Sequence, residues 1–375
     1  MGPILFSSIL IIHGIIHLIG YLNLGNIKKT AGFSNKTIFP VSKGLFETLG
    51  FAWLLVFIVI MFTALIFLLD KNWWIFPGAF SVILSQLLII IYWKDAKFGT
   101  ISNLIILIVI MFSYGTSNFD RMVYGEVESI FSKVGKDTTA ILTSEAISDL
   151  PPVIQKWIIH SGAIGKEITT SVRLKQESKM RLTPEGEWKD ARAEQYFTVQ
   201  TPAFIFKMDV NFFPLVSIVG RDKFLDGKGN MTITLPGIYT IADSKGKEID
   251  QGTMIRFLSE IFWFPSAAIS KYLQWEEVDS VTAKATMLYN ESSVSVIVKF
   301  TSEGDVKNIE AERYGEFDGK TSLEKWSVEM TAYKEFGGIR IGNKAEVTWK
   351  LKAGDFTWYK LEITELEYNK PFLFN

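Results

Sequence analysis

Apolar residues fall into two regimes along this chain. Before residue 115 they run unbroken, as Pro3–Leu22, Thr48–Leu69, Trp73–Trp93 and Phe98–Tyr114, and none of these stretches contains Asp, Glu, Lys or Arg. A hydrocarbon core roughly 30 Å thick is crossed by about 20 residues of helix. Each stretch meets or approaches that length, so four membrane-spanning helices are predicted. From Lys166 onward the pattern changes to alternation with period two. Val172, Leu174, Met180 and Leu182 share one face, with Arg173, Lys175, Glu177, Lys179 and Arg181 on the other. Further stripes are Phe204–Val210, Val294–Phe300, Val347–Leu351 and Tyr359–Ile363.

Turn signals separate these stripes: Thr183-Pro184-Glu185-Gly186, Asp226-Gly227-Lys228-Gly229, Lys245-Gly246, Glu303-Gly304, Asp318-Gly319, Gly337-Gly338 and Gly354. Short connections imply hairpins. Two segments break the alternation with helical spacing: Val153–Ser161, ended by Gly162 and Gly165, and Asp250–Phe262, with Asp250 as its cap. About ten strands are expected, in a sheet that must close or cover its concave face. The predicted fold is α+β: four transmembrane helices, then an antiparallel half-barrel with one or two covering helices. The expected domains are 1–114, a linker over 115–143, and 144–375.

Charge gives an orientation. Residues 1–114 carry seven Lys, no Arg and three acids, which leaves 32 basic and 37 acidic residues in 115–375. Lys28, Lys29, Lys36 and Lys43 lie in the first loop, and Lys94 and Lys97 in the loop after the third span. Those two loops share a face, and the positive-inside rule places it in the cytoplasm. Pro3–Leu22 lacks a basic n-region and an A-x-A-like site, so a retained helix is expected. The expectation is a multi-pass protein of the bacterial cytoplasmic (inner) membrane, with its C-terminal part outside the cytoplasm. The Trp73-Trp74 and Tyr92-Trp93 pairs, about 27 Å apart at helical rise, suit two interfacial aromatic belts.

Chemistry is sparse. No dense basic patch exists, which excludes nucleic acid as a partner. The chain has no Cys, removing disulfide, thiolate-metal and thiol-nucleophile chemistry. Neither G-x-S-x-G, H-E-x-x-H nor a phosphate loop appears, and no catalytic residue, metal or cofactor is assigned. His160 lies at the end of a short helix, where it can cap.

In the membrane part His13 and His17 stand one turn apart. They cannot hold a haem from both sides. They can serve a relay or metal, or bond to neighbouring helices through Ser85 or Gln86. Asp95, Lys97 and Asn103 add a polar cluster at a membrane boundary.

The soluble part is rich in aromatics: Trp263-Phe264-Pro265, Trp275, Trp326, Trp349 and Trp358. Indoles at a helix–sheet junction either line an apolar cavity or pack an ordinary core. Arg221 and Arg313 are candidates for a ligand's anionic head.

His13-Gly14-Ile15-Ile16-His17-Leu18-Ile19-Gly20, Ser85-Gln86 and Trp93…Asp95-Ala96-Lys97…Gly99-Thr100…Asn103 resemble the membrane part of an uncharacterised bacterial family. Leu150-Pro151-Pro152, Gly220-Arg221-Asp222, Phe262–Ala267, Glu312-Arg313-Tyr314 and Glu335-Phe336-Gly337-Gly338-Ile339-Arg340-Ile341 are similar to its soluble part. That family usually has Pro where this chain has Gly342. The resemblance implies the half-barrel of periplasmic lipoprotein carriers (LolA/LolB-like), which hold acyl chains between sheet and helices, and it implies no reaction. It adds Phe336 and Arg340 to Trp263, Phe264, Pro265, Trp275, Arg221, Arg313 and Trp349 as ligand-site candidates. Three functions are open: binding of a lipid or other hydrophobic ligand, redox or transport through His13 and His17, or a scaffold for other envelope proteins.

Overall fold

A computed structural model describes residues 2–24, 34–135, 140–213, 216–317 and 319–374. Lys28, Lys29 and the Asp318 turn position lie outside the described residues. The chain forms two compact units: Met1–Phe119 with Phe213–Val216 and Leu235–Tyr239, and Asp120–Phe212 with Ser217–Thr234 and Thr240–Asn375.

The first unit is helical: α1 (Gly2–Leu24), α2 (Lys43–Leu68), α3 (Ile75–Ile91, preceded by a 3₁₀ turn), a short α4 (Trp93–Ala96) and the first part of α5 (Gly99–Phe131). Four helices are long and apolar enough to cross a membrane: Gly2–Leu24, Lys43–Leu68, Asn72–Ile91 and Gly99–Phe131. The first two pack antiparallel, because Phe6 meets Phe67 while Gly14 faces Ile60 and Gly20 faces Trp53. At Gly20 an added Cβ would lie 2.5 Å from the Trp53 ring, so only glycine admits that approach.

The stretch 115–143, read as a linker, is helical as far as Phe131. Its charges obscured an apolar stripe at Val123, Val127, Ile130 and Phe131, all buried. Two acids on this part of α5 are themselves paired. Asp120 reaches Lys207 at 2.9 Å, and Glu126 reaches Arg221 at 3.1 Å and Lys223 at 2.6 Å.

The second unit holds thirteen strands rather than about ten, in one open antiparallel sheet ordered β6-β5-β4-β3-β2-β1-β13-β12-β11-β10-β9-β8-β7. They are β1 (Ser171–Met180), β2 (Lys189–Thr198), β3 (Ala203–Phe213), β4 (Val216–Leu225), β5 (Lys228–Leu235), β6 (Tyr239–Ser244), β7 (Leu273–Asp279), β8 (Thr282–Tyr289), β9 (Ser292–Phe300), β10 (Val306–Phe317), β11 (Lys320–Phe336), β12 (Ile339–Leu351) and β13 (Gly354–Tyr368). The expected count was low because β5, β6 and β7 carry Thr, Asn, Asp and Glu where a clean stripe would be apolar. Gly337-Gly338 joins β11 to β12 with φ of +58° and +76°, a two-residue turn that L side chains resist. Gly342 lies within β12, beside the irregular register at Met330–Tyr333, and a Cβ there would meet the Met330 Sδ at 2.6 Å.

The sheet curls around a central helix. α6 (Pro152–His160) covers one end, and α7 (Lys247–Glu260) lies against β8, β9 and β10 on the inner face, followed by 3₁₀ turns over Ile261–Trp263 and Pro265–Ile269. The β4–β5 and β8–β9 turns, far apart in strand order, meet where Asn290 Nδ2 donates to the Asp226 carbonyl at 3.0 Å. Asp250 does not cap α7. It accepts from the Gly229 amide at 2.7 Å, while Gly246 occupies the cap. One apolar core runs from Trp157 through Phe197, Phe257 and Trp263 to Val347 and Ile363.

Candidate functional site

A parting of two strands makes the site. β9 and β10 pair from Val306↔Phe300 to Glu310↔Ile297, and there the ladder stops. Beyond it, β10 stays paired with β11 and β9 with β8. The freed edges face one another across a gap. In an antiparallel sheet such edges need other partners, and α7 supplies one: Gln251 Nε2 donates to the Glu312 carbonyl at 3.1 Å.

The gap opens a cavity of about 570 Å³, within the size range of small-molecule sites. Ile255 of α7, Val294 and Val296 of β9, Ala311 of β10 and Trp326 of β11 form its apolar wall. Ser293 and Ser295, with the Glu310, Glu312, Lys325 and Lys350 side chains, ring the outer-facing positions. The alternation along β9 explains this arrangement, since Val294 and Val296 are buried and the alternating Ser293 and Ser295 are not.

Next to the cavity stands Arg313, on the inner face of β10. Its guanidinium lies 5.4 Å above the Trp326 ring, and it makes no hydrogen bond or ion pair among the described residues. Its buried Nε and the Trp326 Nε1 are both donors without an acceptor, and the Gln251 Oε1 lacks a donor. Burial pulls the guanidinium down to about 10, partly countered by Asp222 through space. The Arg313 Nε would stand 3.2 Å from a Cβ at position 252, so Gly252 of α7 is what lets it tuck in.

The neighbouring buried charges are paired, although the Asp222 Oδ1 is left without a donor. Arg256 of α7 bonds to Asp222 at 2.8 Å and Glu260 at 2.9 Å, and stacks 4.0 Å from Phe206. Gln195 donates to Glu260 at 2.6 Å, and Gln176 donates to Gln195 at 3.3 Å. Burial pushes the Glu260 carboxyl up, against the pull of Arg256. Burial opposes the Arg256 charge, yet Glu260 and Asp222 more than offset it and its pKa rises.

Of the residues proposed from the sequence, Arg313 and Trp349 each neighbour the wall residue Trp326, though neither lines the cavity itself. Trp349 sits opposite Trp326 across β11–β12 and meets Phe317 edge-on at 5.3 Å. Trp263, Phe264, Pro265, Trp275 and Phe336 do not line the cavity. Trp263 is core, and its carbonyl accepts from Tyr368 at 2.8 Å. Phe264 stacks 5.2 Å from Phe197, Pro265 starts a 3₁₀ turn, Trp275 donates to the Ala268 carbonyl at 3.0 Å, and Phe336 is buried beside the Gly-Gly turn. Arg221 belongs to the opposite sheet face, tied to Glu126 and to the Asn230 carbonyl at 2.8 Å. Arg340 bonds Asp305 through two nitrogens, at 2.9 and 3.0 Å, and His160 also approaches that carboxylate, at 3.3 Å. Sequence reasoning missed Gln251, Ile255, Val294 and Val296 as wall residues, while Trp326 stood among the indoles it offered to either a cavity or a core. Trp326 and the β9 stripe were visible, but nothing in the residues marks where a ladder stops.

The polar residues of the first unit knit α1, α3 and α5 together. His13 Nε2 meets Asn103 Oδ1 at 2.9 Å, His17 Nε2 meets Ser85 Oγ at 2.9 Å, and His17 Nδ1 bonds the His13 carbonyl. That carbonyl requires a proton on His17 Nδ1, so Ser85 donates to His17 Nε2 when the ring is neutral. Asn103 donates to Gln86 at 3.0 Å, and Gln86 to Thr100 at 3.2 Å. Asp95 is separate and accepts from Ser34, while the Lys97 ammonium lies over the Phe98 ring. No cluster of three or more potential metal ligands occurs among the described residues.

The architecture thus defines a class: α+β, with helices fit to span a membrane and a curled open sheet around one helix. Residues 140–361 match a family of unknown function, DUF6544, and the chain belongs to it. The comparison with curated proteins returned no match. Among solved structures, a LolA superfamily protein from Nitrosomonas europaea is similar at 8% identity and a TM-score of 0.34, over 61% of this chain and 94% of that one. A DUF1329 family protein from Desulfovibrio piger shows 9% identity and a TM-score of 0.35, over 54% and 87%. A putative outer membrane lipoprotein-sorting protein domain from Vibrio parahaemolyticus shows 12% and 0.28, over 53% and 86%.

Proposed function

We propose that this is a membrane-anchored binding protein whose sheet unit, outside the cytoplasm, takes up a lipid or similar amphiphile. The observation that carries the reading is the unzipped β9–β10 pair over a cavity walled by Ile255, Val294, Val296, Ala311 and Trp326. A ladder that stops short leaves backbone groups unpaired, a cost that a packed sheet avoids by zipping. An opening kept at that cost, lined by apolar side chains, suits an acyl chain entering through the wall. The four long apolar helices support the anchor, and the lysine-rich loops support the orientation.

The test places a photo-crosslinking amino acid at Val294 of the full-length protein in living cells, with a matched probe at the exposed Ile58 of α2 as the positive control. A lipid-mass adduct on the β9 peptide is expected. Adducts at position 58 with none at position 294 would reject the reading.

A further inference from the structure

We infer that the amphiphile carries an anionic head, a carboxylate or a phosphate, seated on Arg313 and the Trp326 N–H, an inference that rests on the cavity reading above. Among the cations of this inner face, Arg256 has Asp222 and Glu260 within 3 Å, whereas Arg313 has no bonded acceptor among the described residues. Both carboxylates in range bond Arg256 and neither bonds Arg313: Glu260 is further held by Gln195, and Asp222 gives Arg256 its Oδ2 and keeps Oδ1 unpaired. The Trp326 indole beneath the guanidinium presents a second buried donor with nothing to receive it.

Two unpaired donors on stacked side chains, one charged, call for an acceptor. A charged acceptor makes the stronger bond, and an oxyanion matches the planar fork of an arginine. The Trp326 face holds that fork in place. The mouth itself discriminates little, because Lys325 and Lys350 stand there with Glu310 and Glu312. Selection by charge therefore falls to Arg313. The apolar wall then takes the chain, and the two parts of the site read the two parts of one molecule.

The experiment uses the full-length protein in nanodiscs of phosphatidylcholine and three chain-matched, diazirine-bearing probes: hexadecanoic acid, hexadecyl phosphate and hexadecanol. Labelling is mapped by peptide mass spectrometry. The two anionic probes should label the peptides of α7 and β9–β11 roughly tenfold or more above the alcohol, the scale of one charge-assisted hydrogen bond. Arg313→Gln should bring all three to the alcohol's level, and Arg313→Lys should keep part of the preference. The wild-type comparison stands alone should the glutamine variant fail to fold.

Equal labelling by all three probes overturns the anionic head while leaving the cavity reading intact. Labelling confined to the membrane helices overturns both. Loss of anionic labelling on adding millimolar inorganic phosphate points to a free-anion site and overturns the amphiphile form of the inference.

Discussion

Trp263 and Val296 are both buried, yet they should respond in opposite ways to a change of volume. Trp263 is packed among Phe197 and its neighbours, with its ring 6.4 Å from that of Phe197. Replacing it with Ala leaves a hole that the surrounding rings cannot fill, a cost of roughly 3–5 kcal/mol for a buried aromatic. The Tyr368 hydroxyl bonds the backbone carbonyl of residue 263, so that contact survives and the loss is one of packing. For a unit of this size, 1 kcal/mol moves the melting temperature by roughly 2–4 °C, so Trp263→Ala should lower it by roughly 6–20 °C. Val296→Trp adds a ring to a position facing the 570 Å³ space. A filled core would resist it by roughly 1–3 kcal/mol, but an open cavity should absorb it with a shift of only a few degrees. The assay is thermal unfolding of the full-length protein in detergent, followed by near-ultraviolet circular dichroism. A small loss for Trp263→Ala together with a large one for Val296→Trp would mean that the empty space lies beside Trp263, and the assigned site would be refuted.

Four further outcomes are expected. Glu126→Gln removes the partner of two cations, one of them the buried Arg221, and should destabilise the sheet unit by roughly 3–5 kcal/mol in urea titration; a change below about 1 kcal/mol would show that solvent already satisfies them. Ser85→Ala takes the donor from His17 and should cost about 1–2 kcal/mol in a detergent unfolding assay, in line with modest interhelical bonds in membranes; full stability would make the network incidental. Glu367 is held low first by Lys370 and also by Arg173, so its contribution is present above the ordinary carboxylate range and is lost as pH falls through its depressed value. Amide protection at Phe372 and Leu373, taken as the exchange rate relative to the intrinsic rate at each pH, should therefore fall below the ordinary carboxylate range in the wild type, where Arg173 bonds both carbonyls, and hold steady in Glu367→Gln. Because the chain lacks Cys, single substitutions report topology directly: Lys271→Cys should react with an impermeant maleimide on intact spheroplasts, and Lys36→Cys only after lysis.

The helices are legible in the sequence because a long apolar run without a charge suits little besides a bilayer, and the strands because alternation is local. Three features are not. The α5 extension hides under Asp120, Arg121, Glu126 and Glu128, a run that looks solvated until the sheet offers Lys207 to Asp120, and Arg221 and Lys223 to Glu126. Arg221 and Asp222 are adjacent in sequence, yet period two sends the first to Glu126 and the second to Arg256. The stop in the β9–β10 ladder is a matter of strand divergence, which depends on α7 lying beneath rather than on any residue at Ile297 or Glu310. Arg313 stands out in the sequence for its charge, and only the structure shows that its charge is unanswered.

The position of β13 between β1 and β12 has a bearing on how the sheet is assembled. The register Val172↔Tyr368 joins residues almost 200 positions apart. Two partial sheets, β1–β6 and β7–β12, can each form by neighbouring hairpins, but they share no seam until the last strand emerges and zips between them. The growing chain thus exposes two raw edges for most of its synthesis. Loss of β13 alone would leave two pieces where there had been one fold.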